Sequence, residues 1–218
     1  MIVVIQCAAS KRPGAGHMVA PDGRPVDFVA DPQAAPADHR RVYARPDDPA
    51  SCGQSWRQLL LGYNNDPGNN ALGLYPAYQL YERDVYRRLV DRFGLPSVYI
   101  LSAGWGLIRA DFLTPYYDIT FSQSADPYKR RRKTDRYDDL CMPPLDTDDD
   151  ILFLGGKDYL PLFCTLTAAI RGTKTVFYNS VNSPHLNGFK LRRFETTTRT
   201  NWHYECANAV IDGSIPIE

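Results

Sequence analysis

No CxxC pair, no HExxH helix, no GxSxG elbow and no GxGxxG turn occurs in this chain of 218 residues. The first two absences argue against a thiolate zinc site and a zinc-hydrolase centre. The last two argue against a serine-hydrolase elbow and a dinucleotide-binding turn. An excess of charge is also missing. Lys plus Arg and Asp plus Glu both number 25, so the net charge is zero. No global field then draws the chain to nucleic acid or membrane, and any polyanion must be held by a local patch. No run approaches the ~18 apolar residues of a membrane span. The N-terminus lacks the basic segment and long apolar core of a secretory signal. The five cysteines, Cys7, Cys52, Cys141, Cys164 and Cys206, are odd in number and scattered. These features lead to the expectation of a cytoplasmic protein with free thiols, without a membrane partner, metal or cofactor.

What is present is an alternation of short apolar runs and helical patterns. Residues 2–6 read as a buried strand, β-branched and uncharged. "SVYILSAG", "DILFLGG" and "TKTVFYNS" read as three more. Leu74, Tyr78, Tyr81, Val85 and Leu89 recur at three- and four-residue spacing, which predicts one helix over 74–93, stopped by Gly94 and Pro96. "KDYLPLFCTLTAAIR" predicts a helix with Pro161 in its first turn. A last helix is expected over 201–211. The order implies an α/β fold with a mainly parallel central sheet flanked by helices. Residues 1–218 read as one domain, with long irregular insertions at 12–72, after the first strand, and at 109–147. "SWRQLLLGY" marks a short helix within the first of these.

The reactive side chains gather where strands end. Cys7, Ser10 and Lys11 follow the first strand. Ser102, Gly104, Trp105 and Gly106 follow the second, Lys157 and Tyr159 the third, and Asn179 the fourth. In open parallel sheets ligands bind beyond the carboxyl ends of the strands, so these clusters are expected to share one edge. Cys7 is a candidate nucleophile, and Lys11 a candidate amine or oxyanion partner. Lys157, after two glycines, is a candidate phosphate contact. "TPYYDIT" supplies Tyr117 and Asp118, an aromatic beside a carboxylate that suits a splayed-out base, with Trp105 as a stacking wall. Bland readings stand beside each of these: a buried small thiol, a solvated lysine, ordinary core tyrosines. The run Lys129-Arg130-Arg131-Arg132-Lys133 is a phosphate-binding patch or a solvated face with counter-charges nearby. Among the histidines, His185 lies closest after a strand end and is the candidate for proton transfer.

"VVIQCAASK", "LYERDVYRRL", "YILSAGWGLI" and "PYYDIT" resemble segments of the YaaA-like (peroxide-stress protein) family of bacterial and phage proteins. The C-x3-K strand end is also similar to the core domain of archaeosine synthase. Cys7, Lys11 and Pro13 match that motif, whereas its following tyrosine, serine and histidine have no counterpart. The resemblance implies an α/β domain linked to nucleic acids or modified nucleobases, DNA more than RNA. The combined expectation is an enzyme that modifies a nucleobase or cleaves its N-glycosidic bond. Cys7, Lys11 and Asp118 would be catalytic, and the remaining strand-end residues would bind substrate. A non-catalytic DNA-binding protein and a nucleotide sensor are the alternatives.

Overall fold

The computed structural model describes residues 1–50 and 53–217, so Cys52 falls outside the described residues. The strands, in chain order, are β1 (Ile2–Gln6), β2 (Met18–Val19), β3 (Pro25–Val29), β4 (Val42–Ala44), β5 (Tyr75–Pro76), β6 (Val98–Ser102), β7 (Gly106–Arg109), β8 (Leu113–Thr114), β9 (Tyr117–Asp118), β10 (Leu140–Cys141), β11 (Ile151–Leu154), β12 (Lys174–Tyr178) and β13 (Phe189–Arg193). The α-helices are α1 (Trp56–Tyr63), α2 (Ala77–Leu80), α3 (Val85–Phe93), α4 (Leu160–Leu166) and α5 (Trp202–Ile211).

The fold is α/β, built on a seven-stranded sheet of order β10-β7-β6-β1-β11-β12-β13. β6, β1, β11, β12 and β13 run parallel, and β7 turns back antiparallel on β6. Numbering only the five parallel strands gives the doubly wound order 2-1-3-4-5, in which the chain reverses its direction of travel at β1. Right-handed crossovers are the rule in such sheets, and under that rule a reversal of this kind places the helices before and after it on opposite faces. α5 packs with α3, and Arg88 of α3 reaches Asn208 of α5 and Asp212, the residue that follows it. Strands covered on both faces must be apolar throughout. Hence β1, β6 and β11 are uncharged, and nearly every residue in them is buried.

Several expectations differ from the structure. The helix expected over 74–93 is broken into α2 and α3, because Tyr81 is extended and pairs its backbone with Lys11. That pairing drives the Tyr81 ring into the core below the end of β1. The expected helix over 157–171 shortens to α4, and β13 is a fifth parallel strand in a segment to which the sequence reading assigns no element. The 12–72 insertion is largely ordered. β2, β3 and β4 form a small sheet that β9 joins beside β3.

Arginines, one from each insertion, clamp the turn between β6 and β7. The buried Arg57 pairs with Asp47 and donates to the carbonyls of Trp105 at 2.9 Å and Gly104 at 3.0 Å. Arg131, paired with Asp139, donates to the Ala103 carbonyl at 2.9 Å. Breaking one partner of a buried pair leaves the other charge uncompensated. Arg57→Ala also strands the Gly104 carbonyl and leaves that of Trp105 with the Leu140 N–H alone, so it should destabilise the fold by about 3–5 kcal/mol, measured as the shift in urea-unfolding free energy.

Candidate functional site

β1 is the strand at which direction reverses, so its gap to β11 is where a crevice is expected. The β1–β11 ladder ends at Ile5 opposite Leu154. Beyond it the Gln6 side chain accepts the Gly156 N–H at 2.6 Å. A cleft of about 750 Å³ opens there, between the ends of β1, β11 and β12 and the start of α5. Cys7, Lys157, Tyr159 and Asn179 all line it.

Cys7 is 4% exposed and its backbone N–H continues the ladder to Leu101. Its Sγ lies 3.2 Å from the hydroxyl of Tyr159. A buried network lies behind it. The Tyr81 and Tyr117 hydroxyls are 2.8 Å apart, and Ser102 donates to Tyr117 at 2.9 Å. Burial, reinforced by the nearby thiol, pushes the Tyr81, Tyr117 and Tyr159 hydroxyls well above the ordinary tyrosine range. They therefore stay protonated, and the Tyr159 hydroxyl is the one within hydrogen-bond distance of the sulfur. The Lys11 Nζ sits 4.2 Å from the Tyr117 ring centroid. Burial lowers the pKa of its ammonium, and the charges of Cys7 and Asp118 oppose that shift.

Other residues picked out from the sequence lie at the same sheet edge but do not line the cleft. Ser10 is exposed and away from it, and Lys11 sits behind Cys7. The Ser102 hydroxyl accepts the N–H groups of Gly104 and Trp105 at 3.2 and 3.1 Å, so those donors are already engaged. Trp105 is fully buried against Phe28 and Tyr117 and offers no open face. Gly106 has φ +91°, and a Cβ there would meet the Leu140 backbone, which accounts for the glycine. Tyr117 is fully buried. Asp118 is 27% exposed and ion-paired to Lys129 at 3.0 Å. Gly155 packs its bare Cα against the Phe153 ring. With the Gly156 N–H held by Gln6, the two glycines serve packing rather than an open phosphate cradle.

The sequence reading passes over the far wall. Thr120, Arg199, Asn201, Trp202, His203 and Tyr204 line the cleft. His185 is exposed and does not line it, so His203 is the histidine at the site. This wall was hidden because β13 was hidden. Once β13 is a parallel strand, the chain leaves it at the carboxyl edge of the sheet and α5 must begin there. Among the described residues no cluster of three or more His, Cys, Asp or Glu gathers in metal-binding geometry. No helix among them is long and apolar enough to cross a membrane. No family model, curated protein or solved structure matches the chain.

His203 is 3% exposed, and burial, with Arg83 adding to it, lowers its pKa from 6.5 to about 4. Between those values the unfolded chain binds the extra proton, so acidification favours unfolding. The loss of stability begins as pH falls through 6.5 and is complete near about 4. Its total is roughly 3 kcal/mol at about 1.4 kcal/mol per pH unit. His203→Gln should flatten the dependence of the urea midpoint on pH across this window.

Proposed function

We propose that the protein is an enzyme acting on a nucleobase carried by a nucleotide or nucleic acid, by base modification or N-glycosidic cleavage. The observation that carries this reading is the Cys7 thiol at the floor of the cleft, beside a hydroxyl held in its neutral form. The volume is that of a small-molecule site. Tyr159, Tyr178, Trp202 and Tyr204 supply aromatic walls on which a base can stack, and Asn179 and Asn182 supply amides for its edges.

In base modification the sulfur adds to an electrophilic carbon of the ring or its substituent. A C–S bond forms, the displaced electron pair moves to nitrogen, and the thiol proton passes to that nitrogen by way of Tyr159 or water, which leaves Tyr159 neutral. In glycosidic cleavage the sulfur attacks the anomeric carbon, the C–S bond forms as the C–N bond breaks, and the thiol proton passes by way of Tyr159 or water to the departing base; water then displaces the sulfur from the sugar and restores the thiol. Lys11 and Asp118 act from behind the thiol in either case, without touching the ring.

The DNA-binding alternative relies on the basic run at 129–133. Lys129 is held by Asp118 and Asp126, and Arg131 is buried against Asp139. Two of its five charges are thus used inside the protein, which weighs against a dedicated phosphate patch.

Nucleotides and oligonucleotides incubated with the protein, followed by mass spectrometry of the products, test the proposal. Cys7→Ala should abolish turnover with an unchanged melting temperature, and Tyr159→Phe should slow it by about 10²-fold. Full activity in Cys7→Ala would remove the assignment.

A further inference from the structure

The far wall of the cleft carries features that the thiol chemistry does not use. α5 is ten residues long and starts at the cleft. In its first turn the N–H groups of Trp202 and His203 have no acceptor within the helix, whereas that of Tyr204 is taken by the Asn201 carbonyl. Asn201, at φ 62°, makes no capping bond with its side chain, so the first two are not capped from there. Glu205, in the same turn, is held by the hydroxyls of Thr196 and Thr198. His203 lines the cleft and is buried, and its Nε2 meets no hydrogen-bond partner. A buried polar atom without a partner costs free energy unless a ligand or water completes it. Lys157 and Arg199 line the same space and are exposed, and no salt bridge among the described residues engages either. Asp158 is the acidic residue of the lining and leaves one net positive charge. Most other arginines in the structure face a carboxylate or an aromatic ring.

An uncapped helix start, unpaired cations and an unsatisfied buried imidazole together recognise an anion. A phosphate monoester, with a charge of about −1.5 to −2 at neutral pH, matches them better than a singly charged diester. Resting on the nucleobase reading above, we infer that the start of α5 with Lys157, Arg199 and His203 is a phosphate subsite. The substrate class is then a free nucleoside 5′-monophosphate rather than a base within a polynucleotide. The phosphate sits at the α5 end, and the base reaches toward Cys7.

The test compares the nucleosides of the four DNA bases, their 5′-monophosphates and a single-stranded oligonucleotide by calorimetric titration. Inorganic phosphate is titrated separately while the histidine ring resonances are followed by NMR. The preferred base should bind at least about ten-fold tighter as its monophosphate, the gain of one charge-assisted contact. Lys157→Ala combined with Arg199→Ala should bring the ratio of nucleotide to nucleoside affinity close to one. Both sites are exposed, and circular dichroism checks that the variant folds. Inorganic phosphate should move the His203 resonances.

An equal affinity for nucleoside and nucleotide, a ratio unmoved by the double variant, or tighter binding of the oligonucleotide overturns the inference and leaves the nucleobase reading intact. If no nucleoside or nucleotide binds, the nucleobase reading falls. The phosphate subsite is then decided by inorganic phosphate alone. Movement of the His203 resonances, lost in the double variant, supports it, and unmoved resonances refute it.

Discussion

The position of β1, paired in parallel on both sides, is the constraint on which the molecule depends. β6 and β11 are locked to it in register, with Ile5 opposite both Ile100 and Leu154. The chain departs to one side of β1 first and to the other side later. No helix crosses directly over the end of β1, so its carboxyl tip lies in a gap. Cys7 occupies that tip because it is the first residue beyond the last ladder position of β1. Its burial and its opening onto the cleft are both consequences of this topology.

A second demand shapes the remainder. The turn between β6 and β7 is buried, and its three carbonyls at Ala103, Gly104 and Trp105 need donors. Arg57 and Arg131 provide them, each neutralised by its own carboxylate. The 12–72 insertion delivers Arg57 and Asp47, and the 109–147 insertion delivers Arg131 and Asp139. Both long segments are thus part of the structural solution for a buried turn. The Gly-Trp-Gly sequence that looks like a ligand loop is an internal joint.

Around Cys7 the protein has gathered neutral donors in place of a fixed acid–base pair. Four tyrosines, Tyr81, Tyr86, Tyr117 and Tyr159, crowd the space under and beside the end of β1. Burial keeps them protonated, and a hydroxyl near sulfur stabilises negative charge on it without carrying a charge itself. Behind them lies the half-buried Lys11, whose ammonium form burial disfavours and the charges of Cys7 and Asp118 favour. Such an environment can support a reacting thiol.

Local pattern determined the strands that are buried on both faces. β1, β6, β11 and most of β12 appear in the sequence as uncharged, largely apolar runs because no charged side chain can be solvated there. It likewise determined that Cys7, Lys157, Tyr159 and Asn179 stand at strand ends. Tertiary structure decided what local pattern does not encode. β13, carrying Lys190, Arg192 and Arg193, is an edge strand whose charges reach water, so its composition resembles a loop. Tyr81 leaves its helical period because Lys11, seventy residues earlier, pairs with it. Ser102 and Trp105 turn inward because distant arginines claim the carbonyls around them. His203 reaches the cleft because β13 returns the chain to that edge. Burial and long-range pairing depend on which segments meet, and that is a property of the folded chain rather than of any short stretch within it.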